Sequence, residues 1–166
     1  DNVAAALYGG AVLSWAGDDF ADAIKLEVSP RISAVAFIPS NNVPTSKARK
    51  MLPETIPHKD AIKNSINAAL LTQALTIRPD LLLAATEDYV HQSYREGAMP
   101  KSYSLMQKLR AAGVAAFISG AGPTVLALLV DADLNHELGD LVRAAGSGFE
   151  VENLDISSVG YQVSNI

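Results

Sequence analysis

The sequence predicts an α+β domain built on a ferredoxin-like antiparallel sheet with helices packed on one face. Three observations carry this expectation. The second half of the chain runs helix, strand, turn, strand, helix, strand, an order that an antiparallel sheet accommodates with short connections. Residues 23–28 alternate through Ile24, Leu26 and Val28, the period-two pattern of a half-buried strand. Residues 58–75 instead repeat Ile62, Ile66, Ala69, Leu70 and Ala74 at helical spacing, with Asn and Lys opposite.

The elements follow in order. Asp1 and Asn2 stand before the apolar run Val3 to Leu7, an N-cap signal that opens a helix to Tyr8, closed by Gly9 and Gly10. Residues 11–16 form an apolar strand, Gly17-Asp18-Asp19 a turn, and 23–28 a second strand broken by Ser29-Pro30. Residues 32–38 are a third strand, and the three read as consecutive antiparallel neighbours. After a polar loop, residues 45–52 read as a helix capped by Thr45 and stopped by Pro53 and Pro57. Helices over 58–75 and 79–86 precede a mixed polar stretch, 87–100, that reads mostly as loop. A helix over 101–112 ends at Gly113. Strands at 114–119 and 124–130 flank Gly120-Ala121-Gly122-Pro123. A helix over 135–145 ends in Gly146-Ser147-Gly148, and 149–156 and 158–163 read as closing strands.

Composition narrows the function classes. At 166 residues and 49% hydrophobic content, the chain suffices for one domain with a well-buried core. A net charge of −5 repels nucleic acid and anionic lipid, so neither is an expected partner. The longest apolar runs, 81–85 and 125–130, fall far short of the roughly 20 residues that span a bilayer, and no signal peptide opens the chain. Without cysteine there is no disulfide, no cysteine metal cluster and no thiol nucleophile. The three histidines lack metal-ligand spacing, and there is no Gly-x-Ser-x-Gly elbow. A helix cap with nothing ahead of it suggests a domain cut from a larger protein, although tag removal or trimmed disorder would also leave one, and the lack of cysteine fits a reducing, cytoplasmic compartment.

Three segments hold candidate chemistry. In Ser119-Gly120-Ala121-Gly122-Pro123-Thr124, two glycines allow a tight turn and close approach of backbone N–H groups to an anion. An ordinary hairpin turn explains the glycines equally well. The strand that follows excludes a dinucleotide-binding fingerprint, and the missing Gly-Lys-Ser/Thr excludes a Walker loop. In Pro44-Thr45-Ser46-Lys47-Ala48-Arg49, Thr45 and Arg49 are four apart and share one helix face, an arrangement suited to an anion or to a plain solvated helix. The stretch from Asp88 to Arg95 mixes a carboxylate, an imidazole, phenols and a guanidinium. Arg95 there could grip a carboxylate bidentately or sit in a surface salt bridge.

Taken together, these segments resemble the homoserine kinases of the GHMP kinase superfamily. Asp1-Asn2-Val3-Ala4-Ala5-Ala6 resembles the tail of that family's His-x-Asp-Asn stretch. Pro44 to Arg49 resembles its Pro-Thr-x-x-Ala-Arg segment. Tyr94-Arg95 with Pro100 resembles the element that brings an arginine to the substrate, and residues 119–124 match the superfamily's third motif. The resemblance implies transfer of the ATP γ-phosphoryl group to the side-chain hydroxyl of L-homoserine, giving O-phospho-L-homoserine in threonine biosynthesis. It implies catalytic roles for Asn2, Thr45 and Arg49 and homoserine contacts from Asp1, Asn2, Arg49 and Arg95. Gly120, Ala121 and Gly122 become a loop that closes the ATP side.

The family's ATP loop and its Mg²⁺-holding residues have no match in this sequence. The expectation is therefore a C-terminal, substrate-side domain over 1–166, with 1–38 belonging to the end of an N-terminal domain or to the junction. Such a chain would be inactive alone, with ATP and Mg²⁺ bound mainly by the N-terminal domain and no metal ligand here. Its expected partners are L-homoserine and that domain, and a homodimer is compatible with the sequence. The rivals are another GHMP kinase acting on mevalonate or a diphosphocytidyl-methylerythritol, or a non-enzymatic amino-acid-binding regulatory module.

Overall fold

A computed structural model of the chain describes residues 2–132 and 134–163, and leaves undescribed the side chains of Asn2, residues 134–138 and Ser147. The elements are α1 (Asn2–Tyr8), β1 (Ala11–Ala16), β2 (Ala21–Leu26), β3 (Ile32–Pro39), α2 (Thr45–Lys50) and α3 (His58–Thr76). A 3-10 turn, Pro79–Leu81, leads into α4 (Leu82–Ala85), and another, Ser93–Ala98, precedes α5 (Pro100–Ala111). Then come β4 (Ala115–Ile118), β5 (Val125–Val130), α6 (Leu134–Ala145), a 3-10 turn over Gly146–Gly148 and β6 (Phe149–Leu154).

The main sheet has the strand order β4-β5-β3-β6, antiparallel throughout. This is the ferredoxin-like order: β3 is central, the β4–β5 hairpin adds to one edge and β6 to the other. β3 pairs with β5 from Ile32↔Val130 to Phe37↔Val125, and with β6 from Ala34↔Leu154 to Pro39↔Phe149.

One detail of the expected fold is corrected: helices cover both faces of this sheet. Val35, Phe37, Ala116, Ile118, Val125 and Ala127 pack beneath Leu105, Met106 and Leu109 of α5 and Leu141 of α6. On the other face Ile32, Ala34, Ala115 and Leu128 meet Ala74 of α3 and Leu82 and Ala85 of α4. The cause lies in the strands, because β3 and β5 are apolar at successive positions, as in Ala34-Val35-Ala36-Phe37, instead of alternating with polar residues. A strand of that kind needs cover on both sides.

Four local expectations also change. β1 and β2 form a separate two-stranded antiparallel sheet, registered at Leu13↔Ile24 and Trp15↔Asp22, and β3 does not continue it. The break comes at Ser29, whose N–H donates to Leu75 O at the end of α3 and whose carbonyl accepts from Ile32 N. α2 is capped by Pro44 instead of Thr45: Pro44 O accepts from Lys47 N and Ala48 N, and no side-chain cap bond forms. Residues 87–100 are not all loop, since the Ser93–Ala98 turn lies within them. Residues 158–163 are not a strand; Tyr161 N donates to Ala6 O of α1, which directs that backbone to a helix end.

Where β5 ends, Arg31 holds Asp131 through Nε–Oδ2 at 2.9 Å and Nη2–Oδ2 at 2.5 Å. The hydrogen bond and charge of Arg31 keep the Asp131 carboxyl below the ordinary aspartate value of 3.8. A depressed folded-state value means that the pair's contribution is complete above that ordinary value and is lost as pH falls through the folded one. Both side chains are exposed, so the contribution is small. Acid melts should show Asp131→Asn with a flatter loss of thermal midpoint below pH 3.8 than the parent, and identical curves would remove the pair from the stability account. Phe37, with no exposed surface, anchors one face, and Phe37→Ala should lower unfolding free energy by about 3–5 kcal/mol in urea titrations.

Candidate functional site

The register of the main sheet brings two chain segments to one end. Ile118, Val125 and Phe37 are neighbours across β4, β5 and β3, so the turn after β4 and the exit from β3 toward α2 lie together. The 87–95 segment and α3 close the remaining sides, leaving a cleft of about 710 Å³. Its lining includes Thr45 and Arg49, Asn64 and Asn67, Asp88, His91, Gln92 and Arg95, and the backbone from Ser119 to Gly122.

The glycine turn is held by Ser119 N donating to Thr124 O and Gly122 N donating to Ser119 O, both at 2.9 Å. Gly122, at φ +82, lies so close to Met99 that a Cβ would come within 2.4 Å of its Sδ. Gly120, at φ +58, has open space around its Cβ position, so conformation alone calls for glycine there.

Arg95 is only 8% exposed. Its Nη1 donates to Gly120 O at 2.9 Å, while its Nε is buried without a hydrogen-bond partner. Among the described residues no carboxylate pairs with it, which removes the surface salt bridge as an explanation. A buried donor left unsatisfied costs about 1–3 kcal/mol, more when charged, so this guanidinium is held in the wall at a standing cost.

The 3-10 turn that carries Arg95 is built by Asp88. Its Oδ2 accepts from His91 N at 2.8 Å and Gln92 N at 2.5 Å, and its Oδ1 lies 3.1 Å from His91 Nδ1. Asp88 and His91 thus brace the segment. Gln92 Oε1 accepts from Ile118 N at 2.6 Å and ties this turn to the end of β4. From α3, Asn64 Oδ1 accepts from Tyr89 N and Asn67 Nδ2 donates to Glu87 O. Behind the cleft, Arg110 donates to Thr86 Oγ1, Leu83 O and Ala116 O, joining α4 to β4. Burial lowers the Arg110 pKa from its ordinary value, and the charge of Glu87 opposes this.

The structure therefore gathers Thr45, Arg49, Arg95, Gly120, Ala121 and Gly122 around one cleft. Arg49 and Thr45 are exposed at its rim, while Arg95 is embedded in its wall. Asn2 begins α1, its side chain is undescribed, and Asp1 lies outside the described residues. Gln92, Asn64 and Asn67 are cleft residues to which sequence reasoning gave no role. The spacing of Asn64 and Asn67, three apart on the polar side of α3, was the available signal for that pair. No group of three or more His, Cys, Asp or Glu able to hold a metal ion occurs among the described residues.

Residues 59–148 match the family described as GHMP kinases C terminal, and the chain belongs to that family. Within it, the chain is similar to proteins called homoserine kinase. Those of Streptomyces avermitilis and Streptomyces coelicolor are each 48% identical over 163 residues, covering 98% of this chain and 52% of their own length. The crystal structure of homoserine kinase from Cytophaga hutchinsonii superposes with a TM-score of 0.80 at 25% identity, over 95% of this chain and 52% of that one. The chain spans about half the length of the curated relatives it matches.

The Gln92 bond makes a prediction independent of activity. Gln92→Met keeps the length but removes the acceptor from the buried end of β4, and should cost about 1–3 kcal/mol in urea unfolding. Gln92→Glu keeps an oxygen in place and should recover most of that loss. Equal stability of the two variants would mean that the bond contributes nothing.

Proposed function

We propose that this chain is the acceptor side of an ATP-dependent homoserine kinase, acting in threonine biosynthesis. The observation that carries this reading is the cleft in which a buried guanidinium with a free Nε–H, Arg95, stands with Arg49 and Thr45 beside a glycine turn. The names of the similar proteins support it.

In the reaction the homoserine hydroxyl oxygen bonds to the γ-phosphorus, the bond from that phosphorus to the β-bridging oxygen breaks, and the hydroxyl proton is released. Little covalent work falls to the protein, so rate depends on position and charge. Arg95, fixed in the wall, would hold the homoserine carboxylate, with Nε and a free Nη edge as a two-pronged donor. Arg49, exposed and one turn from Thr45, would follow the charge of the transferring group, with Thr45 as a hydrogen-bonding neighbour. Asn2, a neutral amide, would orient the hydroxyl and cannot act as a strong base. Asp1 would meet the ammonium group. Gly120, Ala121 and Gly122 would close over the nucleotide side, where bare backbone permits close approach.

ATP and Mg²⁺ would be held mainly by an N-terminal domain, for which the extra length of the relatives leaves room. Mg²⁺ would supply charge neutralisation on the phosphates. A two-stranded ribbon is marginal by itself, and β1–β2 exposes Leu13 and Ile24 as a cross-strand apolar pair, with Trp15 two residues along. Residues 1–31 would therefore complete that domain or the junction to it, whereas residues 32–38, expected with them, form most of β3 and belong to the main sheet; a homodimer is the competing use of the β1–β2 surface. No helix among the described residues is long and apolar enough to cross a membrane, and a cytoplasmic location accords with the proposed metabolic step.

The test is homoserine-dependent ADP release by the protein extended to the length of its relatives, beside the present chain. Activity is expected only in the longer form. Failure on homoserine with activity on another alcohol would remove this acceptor while keeping the kinase class. In the active form, Arg95→Ala should cost about 1.5–3 kcal/mol, seen chiefly as a raised KM for homoserine, while Arg49→Ala should cost less and fall chiefly on kcat. Arg95→Ala should also lower kcat, because Gly120 loses its anchor. Wild-type kinetics in both variants would refute the anion-binding role.

A further inference from the structure

We propose that residues 155–163 are a strap that fixes the axis of α1, and that Gly160 and Lys25 are positioning residues for the group α1 carries. The functional half of this inference rests on the reading of Asn2 given above.

α1 has seven residues, too few to persist as a helix without tertiary support. Its final carbonyls show where that support comes from. Ala5 O accepts from Gly9 N, Ala6 O accepts from Tyr161 N at 3.0 Å, and Tyr8 O accepts from Lys25 Nζ at 2.9 Å. The same ammonium donates to Ser158 O at 2.5 Å, so one cation joins the end of the helix to the segment crossing it. Helix ends leave such carbonyls without intrahelical partners, and here the crossing chain and β2 supply them. The segment is braced locally as well: Ser157 Oγ donates to Val159 O at 2.7 Å.

The crossing is backbone against backbone. A Cβ on Gly160 would lie 1.9 Å from Leu7 O, and one on Gly9 would lie 2.5 Å from both the carbonyl carbon and oxygen of Val159. No side chain fits at either position, and Gly9, at φ +71, is buried beneath the crossing. β6 ends at Leu154, so this short segment links the main sheet directly to α1.

The consequence is mechanical. α1 is held at its C-terminal end, and Asn2 stands at the other, roughly 9 Å away at 1.5 Å per residue. Over that length a swing of about 6° moves the helix start by about 1 Å, and a misplacement of that size can lower a rate about 100-fold. Neither Lys25 nor any residue of 155–163 lines the cleft around Arg95, so loosening the strap should spare the Arg95 contact and impair what depends on α1.

The test uses the protein extended to the length of its relatives and compares Gly160→Val, Lys25→Met and Lys25→Arg. Hydrogen exchange at the amides of residues 5–9 should quicken about tenfold or more in Gly160→Val and Lys25→Met. In both, kcat for homoserine phosphorylation should fall at least about tenfold, with KM for ATP within about twofold of the parent. Lys25→Arg, which keeps a cation with several donors, should restore most of both. Lys25 is exposed, so Lys25→Met keeps the test available if Gly160→Val does not fold. Unchanged exchange in Lys25→Met would overturn the strap, and quickened exchange with unchanged kcat would overturn its positioning role. If the unaltered protein does not phosphorylate homoserine, the functional reading falls, and the exchange rates alone then decide for or against the strap.

Discussion

β3 is the constraint on which the rest of this structure depends. It is paired along both edges and packed on both faces, with Val35 and Phe37 fully enclosed. A slip of one residue against β5 would exchange the two apolar sets, placing Phe37 toward α3 and α4 and Ala36 toward α5. The two layers are filled by different shapes: one takes Phe37, Met106 and Leu109, the other Ile32, Leu82 and Leu128 among Ala34, Ala74, Ala85 and Ala115. That mismatch fixes the register, because neither layer can accept the other's residues without a void or a clash.

Register in turn builds the cleft. With Phe37 opposite Val125 and Val125 opposite Ile118, the chain leaves β3 at the same end of the sheet where the glycine turn reverses. α2, carrying Thr45 and Arg49, and the turn at Gly120–Gly122 therefore approach one another as a result of core packing. Two buried side chains then lock the third wall. Gln92 occupies the last N–H of β4, and Arg95 occupies the carbonyl of Gly120. Gln92 caps the 3-10 turn that carries Arg95, and the Asp88 carboxylate accepts from the backbone N–H groups of His91 and Gln92 just ahead of that turn.

Much of this was legible in the sequence, for reasons that also mark its limits. The helix over His58–Thr76, the strands around the glycine turn and the helix–strand order of the second half follow from periodicity, which is a local property. The face it assigns to that helix is wrong in part: Ile62 and Ile66 are exposed, while Asn64 and Asn67 line the cleft. Periodicity does not say which strand pairs with which, so β1 and β2 read as neighbours of β3 when a turn anchored on Leu75 parts them. Nor does it reveal that a strand is covered twice, although the unbroken apolar run of β3 hinted at it. In the cleft, Arg49, Arg95 and the glycines were readable because their side chains, or the lack of one, carry a distinctive chemistry. Gln92 was not, since its role is a bond to a backbone group 26 residues away and a glutamine in a polar stretch carries no mark of burial. Thr45 read as a cap because threonine often is one, but a proline ahead of it fixes φ and turns the chain without a hydroxyl.

The two arginines show why burial matters more than residue type in this site. Arg49, at the rim, keeps its water and can move, so any anion it meets gains little from it beyond screened charge. Arg95 has already lost most of its water and retains one partner, a carbonyl with no net charge. A cation in that position is held by its surroundings at a standing cost, and an anion placed against the free Nε–H would recover more free energy than the same anion would gain from an exposed guanidinium. Under the proposed function, this makes Arg95 the residue that distinguishes an acidic acceptor from a neutral one of equal size. The neutral molecule would leave the guanidinium as unsatisfied as before. Selectivity of that kind needs a rigid donor, and the rigidity comes from Gly120, Gln92 and Asp88, none of which need touch the acceptor. The wall that holds Arg95 and the glycine turn are thus parts of one hydrogen-bonded unit.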